Sequence, residues 1–163
     1  MMTLNDRLIL KMFALEKGLP KRTHHFIKVY EFAHLIGEGE HLPQDQQQLL
    51  EIAAIVHDIG ITPSKKKYGY CDSITQGVEG PLRARKLFKD FPEISSNTID
   101  RVCYLIIHHH DYDIIEGLDY QILVEADFLA NIFEEKMPVE KIQDIREKIF
   151  KTKTGTELLN TLY

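Results

Sequence analysis

Cysteine is scarce in this 163-residue chain: there are two, Cys71 and Cys103, far apart and without a CxxC spacing. Neither a disulfide framework nor a thiolate zinc site fits that usage, whereas a reducing compartment does. Positive charge is not in excess either, with 20 Lys and Arg against 25 Asp and Glu, a formal net charge of −5 and a pI of about 5.9. Such a balance argues against a broad nucleic-acid-binding face, although a local basic patch survives the average. No apolar run is long enough to cross a membrane. The opening MMTLNDRLILKMF is broken by Asn5, Asp6, Arg7 and Lys11 and does not read as a signal peptide, so a cytoplasmic location is expected. A P-loop, a GxGxxG and a GxSxG are all missing, which leaves NTP-driven, dinucleotide-linked and serine-hydrolase chemistry without support. Repeats, low-complexity tracts and linkers are missing too, and one domain over residues 1–163 is expected.

What is present is helical period. Apolar residues make up 44% of the chain, enough for an ordinary core, and nothing alternates for long enough to suggest a sheet. The expectation is an all-α bundle of about seven helices with no significant sheet. Thr3 and Asp6 make a capping-box pattern, and Gly18 followed by Pro20 closes the first helix. A second runs from about Thr23 to Gly37. A third starts near Pro43, carries the nearly all-apolar LLEIAAIV, and ends near Gly60 and Pro63. Ile61 to Gly80 reads as a polar loop holding Lys65, Lys66, Lys67 and Gly69, and Gly80-Pro81 opens a fourth helix through Phe88. Further helices are expected over about Asn97–His110, Asp119–Phe133 and Pro138–Phe150, with one short turn after Lys151.

Helical spacing decides which polar residues look inward. His25 falls on the stripe of Val29, Phe32/Ala33 and Ile36, whereas His24 is rotated off it by about 100°. His57 follows Leu49, Ala53 and Val56 on the buried third helix, with Asp58 next in line. His109 and His110 extend the stripe of Ile99, Val102/Cys103 and Ile106, while His108, His34 and His41 should face elsewhere. Asp127 lies between Leu123 and Ala130. A lone inward histidine is usually a hydrogen-bonded core group, and a lone buried Asp is often a cap. The combination is harder to place: Asp58 sits near a helix C-terminus, where the macrodipole disfavours an anion by roughly 0.3–1 kcal/mol before desolvation is counted. No Lys or Arg is expected on these inner stripes to neutralise the two carboxylates. Imidazoles and carboxylates around a divalent ion resolve the charge problem, and such N/O sets suit Mn, Fe, Co, Ni or Zn.

These residues resemble the HD-domain superfamily of metal-dependent phosphohydrolases. The matching pieces are RTHHFIKV with His25, AAIVHDIG with the His57-Asp58 doublet, and VEADFLAN with Asp127, together spanning residues 22–131. The resemblance implies an all-α fold and assigns His25, His57, Asp58 and Asp127 as metal ligands. LIIHHHDY resembles the segment that supplies extra histidines, here His109 and His110, for a second metal or for substrate phosphate. QGVEGPLRARKLF resembles a stretch that often begins with a ligand His; Gln76 stands in that place, which weakens a second metal site, with Glu79 near enough to substitute. Ile61 replaces the lysine that commonly follows the HDIG motif, so the phosphate-facing cation would come from Lys65, Lys66 or Lys67, with Arg83 and Arg85 as further phosphate contacts.

The reading that follows is a phosphomonoesterase or phosphodiesterase in which one or two divalent ions (Mn, Fe, Co, Mg, Ni or Zn) activate water. Asp58 would orient that water, and His109 or His110 would hold phosphate or protonate the leaving group. The expected substrate is a small phosphorylated metabolite, a nucleotide first of all, rather than long nucleic acid or a membrane; a homodimer is compatible with the chain. Two alternatives remain, a di-iron oxygenase of the same superfamily and a metal-stabilised binding or regulatory domain without turnover.

Overall fold

The computed structural model describes residues 1–163 and contains α-helices, one short 3₁₀ turn and no strand. In chain order the helices are α1 (Leu4–Leu15), α2 (Pro20–Gly39), α3 (Gln44–Val56), α4 (Ile61–Tyr68), α5 (Ser73–Phe88), α6 (Ser96–His108), α7 (Leu118–Glu134), α8 (Val139–Lys148) and α9 (Lys153–Leu162). The all-α expectation holds, and two elements beyond the expected seven account for the larger number. None of the helices is long and apolar enough to cross a membrane.

Burial follows the apolar pattern. Ile52 through Val56 of α3 are at most 1% exposed, so this helix is the axis of the bundle. Helices α2 and α7 pack on it from one side, α6 from another, and α1 closes over its outer face. A second layer, α4 on α5 on α6, stands beside that centre. The capping box read from Thr3 and Asp6 is present, with the Thr3 hydroxyl accepting from the Asp6 N–H and the Asp6 carboxylate accepting from the Thr3 N–H.

The segment from Ile61 to Gly80, expected as a loop, is mostly helix. Only Ser64 of the eight residues of α4 is buried, so α4 has no apolar stripe to betray it. Gly69 ends it in the left-handed region at φ 81°, where glycine carries no Cβ penalty. Helix α5 starts seven residues ahead of the expected Gly80-Pro81, because Asp72 and Thr75 form their own capping box. Pro81 therefore lies inside the helix, where its missing N–H leaves the Gly77 carbonyl without its usual donor. The tail forms ten-residue α9 rather than one turn. Its start is fixed by the fully buried Glu125 of α7, which accepts from the Lys151 and Thr152 N–H groups and from the Thr152 hydroxyl.

One close approach sets where the second layer stands. A Cβ on Gly60 would lie 2.7 Å from the Gln76 carbonyl oxygen and within 2.9 Å of backbone atoms of Gly80. Those neighbours are main chain, so they cannot swing away, and α5 rests directly on the turn that follows Asp58. Gly60→Ala is expected to lower stability by about 1–3 kcal/mol through overpacking. Chemical denaturation should show the transition midpoint falling with an unchanged slope.

Candidate metal centre

Four elements bring their polar side chains to one point. His25 comes from α2, His57 and Asp58 from the C-terminal end of α3, Asp127 from the middle of α7, and His109 from the end of α6. His25 Nε2 lies 3.2 Å from His57 Nε2, 3.4 Å from Asp58 Oδ2 and 3.1 Å from Asp127 Oδ1. His57 Nε2 lies 3.4 Å from Asp58 Oδ2 and 3.6 Å from Asp127 Oδ1. Donor atoms held roughly 2.1 Å from a common ion, at angles between octahedral and tetrahedral, stand roughly 3.0–3.4 Å apart. Donor atoms of His25, His57 and Asp58 all lie within 4.8 Å of one another, as do those of His57, His109 and Asp127, so each trio is spaced to share an ion.

The hydrogen bonds behind the ligands fix which nitrogen faces the centre. The Nδ1–H of His57 donates to the Ala54 carbonyl at 2.7 Å, that of His109 to the Ile106 carbonyl at 2.9 Å, and that of His25 to Glu134 Oε2 at 2.8 Å. With Nδ1 assigned as the donor in each ring, all three Nε2 atoms present lone pairs inward, beside the Asp58 and Asp127 carboxylates. Asp127 Oδ1 and His109 Nε2 are buried and have no hydrogen-bond partner. A buried pocket walled by acceptors is unfavourable until a cation enters it, and this donor set fits a divalent metal ion.

Protons are the alternative cations for these side chains. Burial works against charge on His57 and His25, but the Asp58 and Asp127 carboxylates outweigh it; the pKa is raised for His25 and raised well above 6.5 for His57. Burial likewise works against the carboxylates, yet the imidazoles hold both Asp58 and Asp127 well below the usual carboxylate range.

Other candidate residues lie at varying distances from this point. His109 Nε2 stands 3.5 Å from Asp58 Oδ1. His110 lies at the mouth, close enough to group with Asp58 and His109, and its Nδ1 is 3.4 Å from the Tyr112 hydroxyl. Surrounding protein and neighbouring His109 push its pKa down to about 4. His108 turns away to Asp111 and His34 to Glu51, and His41 is exposed. The expected lysines sit on the last turn of α4, exposed, and Lys67 pairs with Glu79. That pairing, with a second hydrogen bond from the Tyr68 hydroxyl, occupies the Glu79 carboxylate, which is not among the clustered ligands. Arg83 is committed elsewhere, to Glu16 and to the Ile59 and Leu15 carbonyls, and Arg85 pairs with exposed Asp100. The phosphate-contact role expected of Arg83 has no support from this placement, because its donors tie α1 and the turn after α3 to α5.

Two residues of the site were not expected. Arg22 Nη1 lies 3.9 Å from Asp58 Oδ2, so a cation does stand on the inner stripe, three residues before His25. Glu134, which orients His25, lies seven residues after Asp127 on the same face of α7 and also pairs with Lys28. Both fall just outside the expected helix limits of Thr23 and Phe133; extending each stripe by one turn would have found them.

The HD domain family model matches residues 22–152, most of the chain and about twenty residues beyond the last motif read from the sequence. The chain belongs to the HD-domain superfamily of metal-dependent phosphohydrolases. No curated protein and no solved structure matches it significantly. The HD family binds divalent metals, and the overlapping His/Asp groups at His25, His57, Asp58, His109 and Asp127 could hold one.

Two outcomes follow for the metal. Glu134→Ala frees the His25 ring and is expected to weaken metal binding about 10–100-fold, measured by competition with a chelating dye. In the metal-free protein the raised His25 and His57 pKa values stabilise fully below pH 6.5, and that contribution is lost as pH rises through them. The depressed carboxylates stabilise above their ordinary 3.8, and that part is lost as pH falls. Metal must displace the imidazole protons, so the rise in melting temperature on adding metal should be larger at pH 8 than at pH 6, with proton release visible by calorimetry in buffers of different ionisation enthalpy.

Proposed function

We propose that this centre hydrolyses a phosphate ester of a small metabolite, a nucleotide first of all. The observation that carries the reading is the pairing of an acceptor-only ligand set with one cation, Arg22, at its edge. A divalent ion held there, when bound, supplies an activated water and polarises a phosphoryl oxygen.

The chain's own residues supply the rest. His25, His57, Asp58 and Asp127 hold the ion. The Arg22 side chain is one quarter exposed, so its guanidinium reaches outward from Asp58 toward an incoming phosphate and donates to its oxygens. His110, neutral near pH 7 and beside the Tyr112 hydroxyl, offers a hydrogen-bonding pair at the mouth. His109 holds an unpartnered lone pair deeper in. Lys65 and Lys66, exposed on the helix that follows Asp58, extend the positive charge outward. That patch suits a small anion; a polymer needs many phosphate contacts, and a net charge of −5 offers little support for them. A cytoplasmic setting agrees with two free cysteines.

The test is phosphate release from a panel of nucleotides, dinucleoside polyphosphates and sugar phosphates, assayed with Mn, Co, Fe, Mg and Ni. Arg22→Ala is expected to reduce kcat/KM about 10–100-fold, the worth of one charged hydrogen bond of roughly 1.5–3 kcal/mol, and Asp127→Ala to abolish turnover. Turnover of nothing by the wild type under any metal would replace this reading with a binding domain, and dioxygen consumption by an iron-loaded protein would replace it with an oxygenase.

A further inference from the structure

Helix α5 is apolar on two sides. Its inner side, with Ala84, Leu87 and Phe88, is buried in the second layer. Its outer side holds Ile74, Val78 and Leu82, which recur every four residues and so form one stripe along the helix. These three are 75%, 50% and 62% exposed, and no other helix leaves three aliphatic side chains open to solvent. Ile107 of α6, also exposed, extends the stripe sideways: a Cβ on Gly77 would meet its Cγ2 at 3.6 Å. Single exposed aliphatic residues are ordinary on protein surfaces, but a continuous apolar stripe marks a surface that another molecule covers.

Charge along α5 indicates what covers it. Asp72 stands at the start of the helix, whereas Arg85 and Lys86 lie in its last turn and Lys89 follows. An interface between two copies must be complementary to itself. Crossing two α5 helices antiparallel about a twofold axis at Val78 meets that condition. Ile74 and Leu82 each lie four residues from Val78, so Ile74 of one copy faces the partner's Leu82. Asp72 lies six residues before Val78 and Lys86 eight after it. At a rise of about 1.5 Å per residue, Asp72 therefore comes level with the partner's Lys86 to within roughly 3 Å along the axis. The opposed helix dipoles favour the same arrangement. A parallel pair would instead set the two groups of Arg85, Lys86 and Lys89 against each other.

We propose that the outer face of α5, with Ile74, Val78 and Leu82 at its centre and Ile107 beside them, joins two copies of this chain as an antiparallel helix pair. The same helix sends Gln76 inward, where its amide donates to Asp58 Oδ1 at 2.7 Å, so the interface and the metal centre lie on opposite sides of α5.

The experiment is sedimentation equilibrium of the full chain over a concentration series. The wild type should approach twice the 19.0 kDa mass of the chain. Val78→Glu sets two like charges on the axis and should leave a monomer with unchanged helical circular dichroism. Leu82→Glu should do the same and keeps the test open should the first variant fail to fold. Lys86→Glu should weaken the dimer about 2–10-fold by removing its pairing with Asp72. The same change would relieve repulsion in a parallel pair, so a tighter dimer would overturn the antiparallel arrangement. A wild type that is monomeric at every concentration would overturn the proposal, as would a dimer that survives both glutamate substitutions. Flotation of a monomeric wild type with phosphatidylserine vesicles, lost in Val78→Glu, would also overturn it and assign the face to a membrane surface.

Discussion

Three imidazole lone pairs and two carboxylates share one small, largely buried space in this protein, and the arrangement of the helices around it depends on how that conflict is resolved. Each acceptor is delivered by a helix that also contributes to the core: His25 shares α2 with Val29 and Ala33, and Asp127 shares α7 with Leu123 and Ala130. Moving any one of them away to relieve the repulsion would open the packed interior, where voids are costly. The core therefore holds the acceptors together, and a cation makes that arrangement favourable. A metal bound there would be coupled to folding, because its ligands and the core draw on the same four helices.

The hydrogen bonds one step back from the centre do as much as the ligands. His57 and His109 donate to carbonyls three residues earlier, Ala54 and Ile106, at the helix ends where such carbonyls lie within reach of the ring. His25 has no such carbonyl and relies on Glu134 across the helix pair. The site thus has two rigid imidazoles tied to their own backbone and one tied by a tertiary contact. The tertiary tie also reaches Lys28, so the ring most exposed to change is linked to the surface of α2.

The second layer adds chemical asymmetry. Because Gly60 lets α5 rest on the turn after Asp58, the inner face of α5 reaches the metal centre with an amide, while Glu79 turns toward α4. The cations divide in a similar way. Arg83 is consumed in joining α1 to α5, whereas Arg22 remains beside Asp58 with part of its side chain open to solvent. Two arginines of the same formal charge acquire different roles from whether a buried carboxylate, Glu16, or a ligand carboxylate stands next to them.

Helical period, the burial of α3, the cap at Thr3 and the inward placement of His25, His57 and Asp127 were legible in the sequence, because each rests on residues close together in the chain or on a stripe of fixed spacing. It did not reveal α4, whose eight residues bury only Ser64 and so carry no stripe, nor the start of α9, which is set by Glu125 of α7 accepting from Lys151 and Thr152 just before it. It also missed Arg22 and Glu134, which lie one residue beyond the expected helix limits of Thr23 and Phe133. Packing between helices set which imidazole nitrogens face inward, which oxygen of Asp58 accepts from Gln76, and that Glu79 and Arg83 are spent on structural pairs. Those outcomes turn on distances between helices far apart in sequence, set by backbone contact at Gly60 and by packing around α3, and no periodicity within one helix encodes them.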